Sequence, residues 1–284
     1  GLIGYVSLEM SNNDADYTES GVQFEYEDVM VGSVHPSSGM MSGGTEVRVL
    51  GEHFHMPGSK GLWCKFGSSL SQPATWESTS SLRCASPSYG SEGVVDLVII
   101  NNEAVYESVV AWQFYVDPVV GSLYPVVGGV SGGTVVEVVG SGFLNTWSTY
   151  CRFGDTSVPA KWMSDTLMSC TSPLVDTGVA GAVNVEVSMN NQQYGLSEVS
   201  FEYQGMASVT SLDPTKGPAQ GGTFMVVRGS GFSQRSSSLE YMYCMFNTTR
   251  VVASYVSEVE MHCVAPEGLI GYVSLEMSNN DADY

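Results

Sequence analysis

Residues 1–17 read Gly-Leu-Ile-Gly-Tyr-Val-Ser-Leu-Glu-Met-Ser-Asn-Asn-Asp-Ala-Asp-Tyr, and residues 268–284 spell the same seventeen letters again. A match of that length is not chance, so the chain carries a period of 267 residues. A weaker period lies inside it. Gly43-Gly44-Thr45, Gly132-Gly133-Thr134 and Gly221-Gly222-Thr223 step by 89 residues, one third of 267, and Pro36, Pro125 and Pro214 keep the same step. Asn12-Asn13, Asn101-Asn102, Asn190-Asn191 and Asn279-Asn280 follow it too, at the same numerical interval. Length alone suggests about two domains of average size; the repeat divides the 284 residues into three related modules and an overlap. The chain opens at Gly1-Leu2-Ile3 with neither an initiator Met nor a signal peptide, and the expectation is an internal piece of a longer periodic protein.

A module of about 90 residues can bury a core of its own, though only a small one, and a covalent staple helps at that size. Its local signals are strands and turns. Thr45-Glu46-Val47-Arg48-Val49 and Val183-Asn184-Val185-Glu186-Val187 alternate polar with apolar residues, the period of a half-buried strand. Residues 94–100 and 5–10 occupy comparable places. No stretch of ten residues shows a 3.6-residue period with a capping box before it. The Asn pairs fall between such strands, and Asn tolerates the left-handed backbone that tight hairpin turns require. The glycine doublets supply freedom for the turn entering the next strand. Short strands with turns at regular spacing predict an antiparallel β-sandwich.

Charge and hydropathy exclude two function classes. Thirty Asp and Glu face ten Lys and Arg, a formal net charge of −20, and an acidic surface repels phosphate backbones, so no nucleic-acid partner is expected. No apolar run approaches the ~20 residues of a helical membrane span; the longest, residues 97–100, is strand-sized. With 43% apolar residues the chain has material for packed cores and is not a disordered polymer.

Aligned on the repeat, the modules share an ordered set of motifs. The first runs through Val34-His35-Pro36, Gly43-Gly44-Thr45, Gly51-Glu52-His53-Phe54, Trp63-Cys64-Lys65-Phe66-Gly67, Leu82-Arg83-Cys84-Ala85-Ser86-Pro87 and Trp112-Gln113-Phe114. The second has Gly140-Ser141-Gly142-Phe143, Cys151-Arg152-Phe153-Gly154, Cys170-Thr171-Ser172-Pro173 and Phe201-Glu202-Tyr203; the third has Gly229-Ser230-Gly231-Phe232, Cys244-Met245-Phe246 and Cys263-Val264-Ala265-Pro266. In this order they strongly resemble the IPT/TIG family, immunoglobulin-like sandwiches found in plexins, scatter-factor receptors and Rel-type transcription factors. His53 stands where the family motif has glycine, and so does Asn247. The resemblance implies an all-β chain of three IPT/TIG sandwiches in a linear tandem array with no significant helix. Residues 29–116, 117–204 and 205–284 are the modules, and residues 1–28 are the last strands of a third-type module from a preceding repeat. The third module lacks its closing strand after residue 284, whereas Phe24-Glu25-Tyr26 near the start supplies that strand's sequence.

One Cys pair falls in each module, Cys64/Cys84, Cys151/Cys170 and Cys244/Cys263, with separations of 20, 19 and 19. They read as intradomain disulfides, and three pairs of buried free thiols are the alternative; the close Cys-x-x-Cys spacing of a metal site is missing. Disulfides imply an oxidising compartment, most simply the cell exterior or surface. Asn247-Thr248-Thr249 is an N-glycosylation sequon. Ser68-Ser69, Ser78-Thr79-Ser80-Ser81 and Ser236-Ser237-Ser238 fall in predicted loops, and are candidates for O-glycans or simply polar loops.

Catalytic chemistry finds no support. Of the four histidines, His35, His53, His55 and His262 each occupy a position filled by another residue type in the sister modules, so no recurring nucleophile–base pair forms. His53-Phe54-His55 could place two imidazoles on one side of a strand as metal ligands, or simply fill a turn and the start of a loop. Asp14 and Asp16 beside Asn12-Asn13, and Glu27-Asp28 at a module junction, are oxygen donors suited to Ca²⁺, although the EF-hand pattern is missing and a solvated acidic edge is the simpler reading. The glycine doublets precede strands and lack the Gly-Lys-Ser/Thr of a phosphate loop. Trp76, Trp162 and Tyr255 recur at one module position, and read as a half-buried site rather than a sugar platform. No cofactor is expected.

Between Phe114-Tyr115 and the next proline motif lie only residues 116–124, mostly apolar and expected to begin the second module; no Gly/Ser linker intervenes. Identical units joined by one repeated operation make an open filament. The expectation is a structural repeat of a long extracellular filament, similar to the protein cores of glycan-coated surface filaments of microbial eukaryotes, with itself and covalent glycans as partners. Covalent continuity from repeat to repeat is favoured over donation of residues 1–26 to a neighbouring chain. A receptor or adhesin stalk, and accessory carbohydrate-binding modules of a secreted enzyme, are the alternatives.

Overall fold

The computed structural model describes residues 4–68, 70–106, 108–175, 178, 180–268 and 270–284. They form two compact units, Gly1–Asp117 and Pro118–Tyr284. The first holds one sandwich and a separate hairpin; the second holds two sandwiches.

In the first sandwich, Met30–His35, Glu46–Glu52 and Ser81–Ala85 form one layer, and Leu62–Phe66, Gly93–Asn101, Val110–Tyr115 and Ser38–Met40 form the other. Leu70–Ser78 belongs to both. Its first half pairs with Leu62–Phe66, its second half with Ser81–Ala85, and Pro73 sits where it changes layer. The alternation predicted for residues 45–49 is realised: Val47 and Val49 are fully buried, while Glu46 and Arg48 face outward. Opposite them lie Phe66, Leu97, Ile99, Trp112 and Phe114. Cys64 on one layer is bonded to Cys84 on the other, with Cα atoms 6.4 Å apart.

The second sandwich repeats this plan without the short strand Ala104–Val105 that pairs with Gly93–Asn101 in the first. Val119–Tyr124, Val135–Ser141 and Leu167–Thr171 face Tyr150–Phe153, Gly181–Ser188, Ser200–Gln204 and Val127–Gly129, with Thr156–Ser164 crossing between layers. The first strand of the second module, Val119–Tyr124, thus lies within residues 116–124. In the third sandwich Ser208–Asp213, Phe224–Ser230, Glu260–Val264 and Ser254–Ser257 form one layer. The other contains Thr249–Val252, Tyr243–Phe246 and Leu275–Ser278. Cys151–Cys170 and Cys244–Cys263 bridge the layers as in the first.

The shared motifs have a common physical cause. The first glycine of each doublet has φ between 70° and 80°, a left-handed backbone. A Cβ there would also lie 2.5–2.6 Å from the backbone carbon of Pro87, Pro173 or Pro266. The Gly-Gly-Thr turn and the proline after the second cysteine are thus two halves of one contact. Each module also has a cis peptide before Pro36, Pro125 or Pro214.

Two expectations are corrected. Ser236-Ser237-Ser238 is not loop but part of a five-residue helix, Gln234–Ser238, whose first turn is capped by the Ser233 hydroxyl accepting from the Ser236 amide. The Asn pairs are not equivalent number for number. The left-handed turn residue is Asn102 in the first module, Asn191 in the second and Asp281 in the third, with Asp14 in the amino-terminal copy. Asn13, Asn101, Asn190 and Asn280 are therefore the matching positions, and the steps are 88, 89 and 90 residues.

Each disulfide closes a loop of about 20 residues, which by chain entropy stabilises a module by roughly 3 kcal/mol. Replacing Cys151 and Cys170 together by Ala should lower the unfolding free energy of the second sandwich by about that amount in urea titrations. A loss well below 1 kcal/mol would mean that core packing alone holds the two layers.

Candidate functional site: the joint between the second and third sandwiches

The histidines do not gather into a catalytic group. His53 takes the left-handed backbone (φ 61°) that Gly142 and Gly231 adopt in the sister motifs, so it fills a turn position. It and His55 both approach the Glu27 carboxylate, at 3.8 and 3.3 Å. The sequence places His53 and His55 in one motif and Glu27 in another; the fold brings the three side chains together. His262 lies 3.3 Å from Glu260 and edge-on to Phe224. Among the described residues, no group of three or more His, Cys, Asp or Glu is arranged to hold a metal ion.

The glycan candidates separate by burial. Asn247 is exposed in the turn between Tyr243–Phe246 and Thr249–Val252, its side-chain oxygen accepting from the Ser274 amide and hydroxyl at 3.0 and 3.2 Å. Ser68, Thr79, Ser80 and Ser238 are exposed, and Ser78 and Ser237 are half-buried. Ser81 and Ser236 correct the expectation: they are 4% and 0% exposed, which leaves no room for a sugar. The Ser81 hydroxyl donates to Glu77 and accepts from Arg48, and the Ser236 hydroxyl donates to Gln204. Ser69 lies outside the described residues. Trp76 and Trp162 are half-buried and donate their indole N–H to the carbonyls of Phe54 and Phe143, which ties them to the sandwich rather than to a ligand.

The most elaborate polar constellation lies where the second and third sandwiches meet, and the duplicated segment builds it. Asn280 accepts from the Ala282 and Asp283 amides at 3.1 and 2.8 Å, which folds residues 280–283 into an Asx turn. Its amide group donates to the Asp283 carboxylate at 2.6 Å, and the buried Thr134 hydroxyl of the second sandwich donates to that carboxylate as well. The Tyr124 hydroxyl donates to Asp281 at 2.9 Å, Arg250 pairs with the same carboxylate, and the Tyr124 ring meets Tyr241 edge-on at 5.6 Å. On the helix side Ser236 holds Gln204, and Arg235 approaches Glu202 at 3.5 Å. Gly128, Met206, Asn280 and Tyr284 line a cleft of about 320 Å³ at this joint.

In the amino-terminal copy the same letters make the same turn. Asn13 accepts from the Ala15 and Asp16 amides and donates to Asp16. Asp14 accepts from the hydroxyl of its own neighbour Tyr17 at 3.2 Å. Asp14 and Asp16, the calcium candidates, are thus engaged in a local hydrogen-bonded turn, and their counterparts Asp281 and Asp283 bind a neighbouring sandwich.

Residues 30–114, 118–203 and 207–284 each match the IPT/TIG domain. Among solved structures, the full extracellular region of plexin A4 is 16% identical over 92% of this chain and 23% of its own length, with a TM-score of 0.49. The chain thus spans about a quarter of that protein. The Bacteroides ovatus mixed-linkage glucan utilization locus protein SGBP-B, solved with a mixed-linkage heptasaccharide, is 11% identical over 93% of this chain and 64% of its own, with a TM-score of 0.29. The Escherichia coli adhesin FdeC is 10% identical over 88% and 92%, with a TM-score of 0.28.

Two outcomes test the joint. Thr134→Val keeps the volume but removes the hydroxyl held by a carboxylate, and should destabilise the docked segment by about 2 kcal/mol. Hydrogen exchange should register this as faster exchange of the Asp281 and Asp283 amides. Burial first, and then the bond to Asp281, push the Tyr124 hydroxyl up to about 12 from its ordinary value near 10. Because the folded state favours the protonated phenol, its contribution is whole below pH 10 and lost as pH rises through 12. Burial pushes Tyr203 up to about 12 as well, so Tyr124→Phe should flatten, without abolishing, the loss of urea resistance over that window.

Proposed function

The chain belongs to the IPT/TIG family through all three of its sandwiches, and from that premise we propose that it is the structural, non-enzymatic repeat unit of a long extracellular filament that carries glycans. The observation that supports this reading is the 267-residue period: an identical 17-residue segment recurs at residues 1–17 and 268–284, and it forms the same Asx turn in both places. A constant head-to-tail step between identical units generates an open polymer when its rotation does not close a ring. Its partners are itself, head to tail, and covalent glycans, with Asn247 the exposed sequon.

Three layer-bridging disulfides suit an oxidising exterior. No helix among the described residues is long and apolar enough to cross a membrane. A net charge of −20 per unit opposes close lateral packing and favours a solvated fibre.

Electron microscopy of surface material from the source cells tests the reading. The expected result is fibres with a regular axial repeat, labelled by antibodies to this chain and yielding a glycosylated peptide that contains Asn247. Separate globular particles would overturn the filament. A gene with only a few copies beside a membrane anchor would instead make the modules a stalk.

A further inference from the structure

The joint between the second and third sandwiches shows which side chains meet where one module enters the next. Gln204 directly follows Phe201-Glu202-Tyr203 at the end of the closing strand, and its side-chain oxygen accepts from the Ser236 hydroxyl at 3.0 Å. Ser236 lies in the segment after Phe232, the phenylalanine of the Gly-x-Gly-Phe motif. Neither side chain changes charge between about pH 5 and 8.

The segment that enters the first sandwich has the same plan with different chemistry. Glu27 follows Phe24-Glu25-Tyr26 where Gln204 follows Phe201-Glu202-Tyr203, and it reaches the two residues that flank Phe54, the motif phenylalanine of the first module. His53 Nδ1 lies 3.8 Å from one carboxylate oxygen, Oε1, and His55 Nε2 lies 3.3 Å from the other, Oε2. All three side chains are partly open to solvent, so protons reach them from water. Two further contacts hold the segment. Val29 packs against the core of the sandwich, and the Ser108 hydroxyl donates to the Val29 carbonyl at 3.4 Å. Met30 then opens the ladder with Glu46–Glu52.

We infer that Glu27, His53 and His55 form a clasp that changes charge between about pH 5 and 8 and grips the entry segment more tightly on the acid side. With neutral imidazoles the cluster carries only the negative charge of Glu27. With both imidazoles protonated it is net positive, and each carboxylate oxygen faces its own imidazolium in a charge-assisted contact. The surroundings favour that form. Glu25 and Asp28 stand on either side of Glu27, and Glu52 precedes His53. The Tyr5 hydroxyl of the hairpin is held above its ordinary range by its bond to Glu25 and by the charges of Glu25 and Glu27. Lys60, farther along the loop, is engaged by Glu103 at 2.9 Å. His35 stands at the other end of the strand Met30–His35, 3.5 Å from Ser33. The 267-residue period places one such clasp in each repeat, so acid stiffens one joint per repeat; this recurrence rests on the filament reading.

Amide exchange in the 284-residue chain tests the clasp, read as protection over the intrinsic rate at each pH, in buffer containing a chelator. Protection at residues 30–34 should be about fivefold higher at pH 5.5 than at pH 7.5, the gain of two exposed ion pairs. Glu27→Gln recreates the neutral side chain of Gln204, and His53→Gly with His55→Ser supplies the residues found at Gly231 and Ser233. Each variant should leave residues 30–34 equally protected at the two pH values, and combining the three changes should add nothing further. Each chain is compared with itself at pH 7.5, so a general loss of stability does not imitate the result. Equal protection at both pH values in the unaltered chain would overturn the clasp. So would a pH dependence that survives Glu27→Gln or the histidine changes, which would assign it to His35 or another group outside the cluster. None of these outcomes removes the filament, which microscopy judges separately.

Discussion

In the first two sandwiches, each of about ninety residues, the last strand lies across the core and buries its aromatic ring there. That strand is joined on one edge by an antiparallel ladder and on the other by a parallel one, and its aromatic ring fills the space above the disulfide-bearing strand. The absent side chains at Gly39 and Gly128, the fully buried Thr45 and Thr134 beneath them, and the rings of Phe66 and Phe153 are all shaped by that ring. At the matching positions of the third sandwich Gly217 is exposed, while Thr223 and Phe246 are half-buried and Val227, Cys244 and Met261 remain fully buried.

The joint between the second and third sandwiches shows how a repeat becomes an assembly. Its Asx turn is local, because the Asn280 side chain needs only amides two and three residues ahead. Its binding partners are not: Thr134 and Tyr124 come from about 150 residues away. In the two identical segments the turn is therefore the same, while the carboxylates of Asp14 and Asp281 have different partners. Acidic residues that resemble calcium ligands in sequence act here as acceptors for hydroxyls of a neighbouring sandwich.

Much of the fold was legible in the sequence because its signals are short-range. Alternation marked Val47 and Val49 as inward, and the glycine doublets and prolines marked turns. His53 could be read as a turn residue from Gly142 and Gly231 at the same motif position. The serine clusters were not legible in this way. Ser236 is buried because Gln204 reaches it and Ser81 because Arg48 and Glu77 enclose it, and neither contact leaves a trace in local composition. The Asn pairs misled by one residue, since a run of two Asn does not say which one turns. The register of the neighbouring strands decides that.

By itself, the sequence determined the 267-residue period, the three modules, the all-β class and the positions of the cysteine pairs, since each follows from residue identity at fixed intervals. Tertiary structure alone decided which serines are enclosed and which copy of a duplicated turn binds a neighbour. Burial and pairing depend on residues brought together from far along the chain, and identical letters acquire different surroundings when different neighbours fold against them.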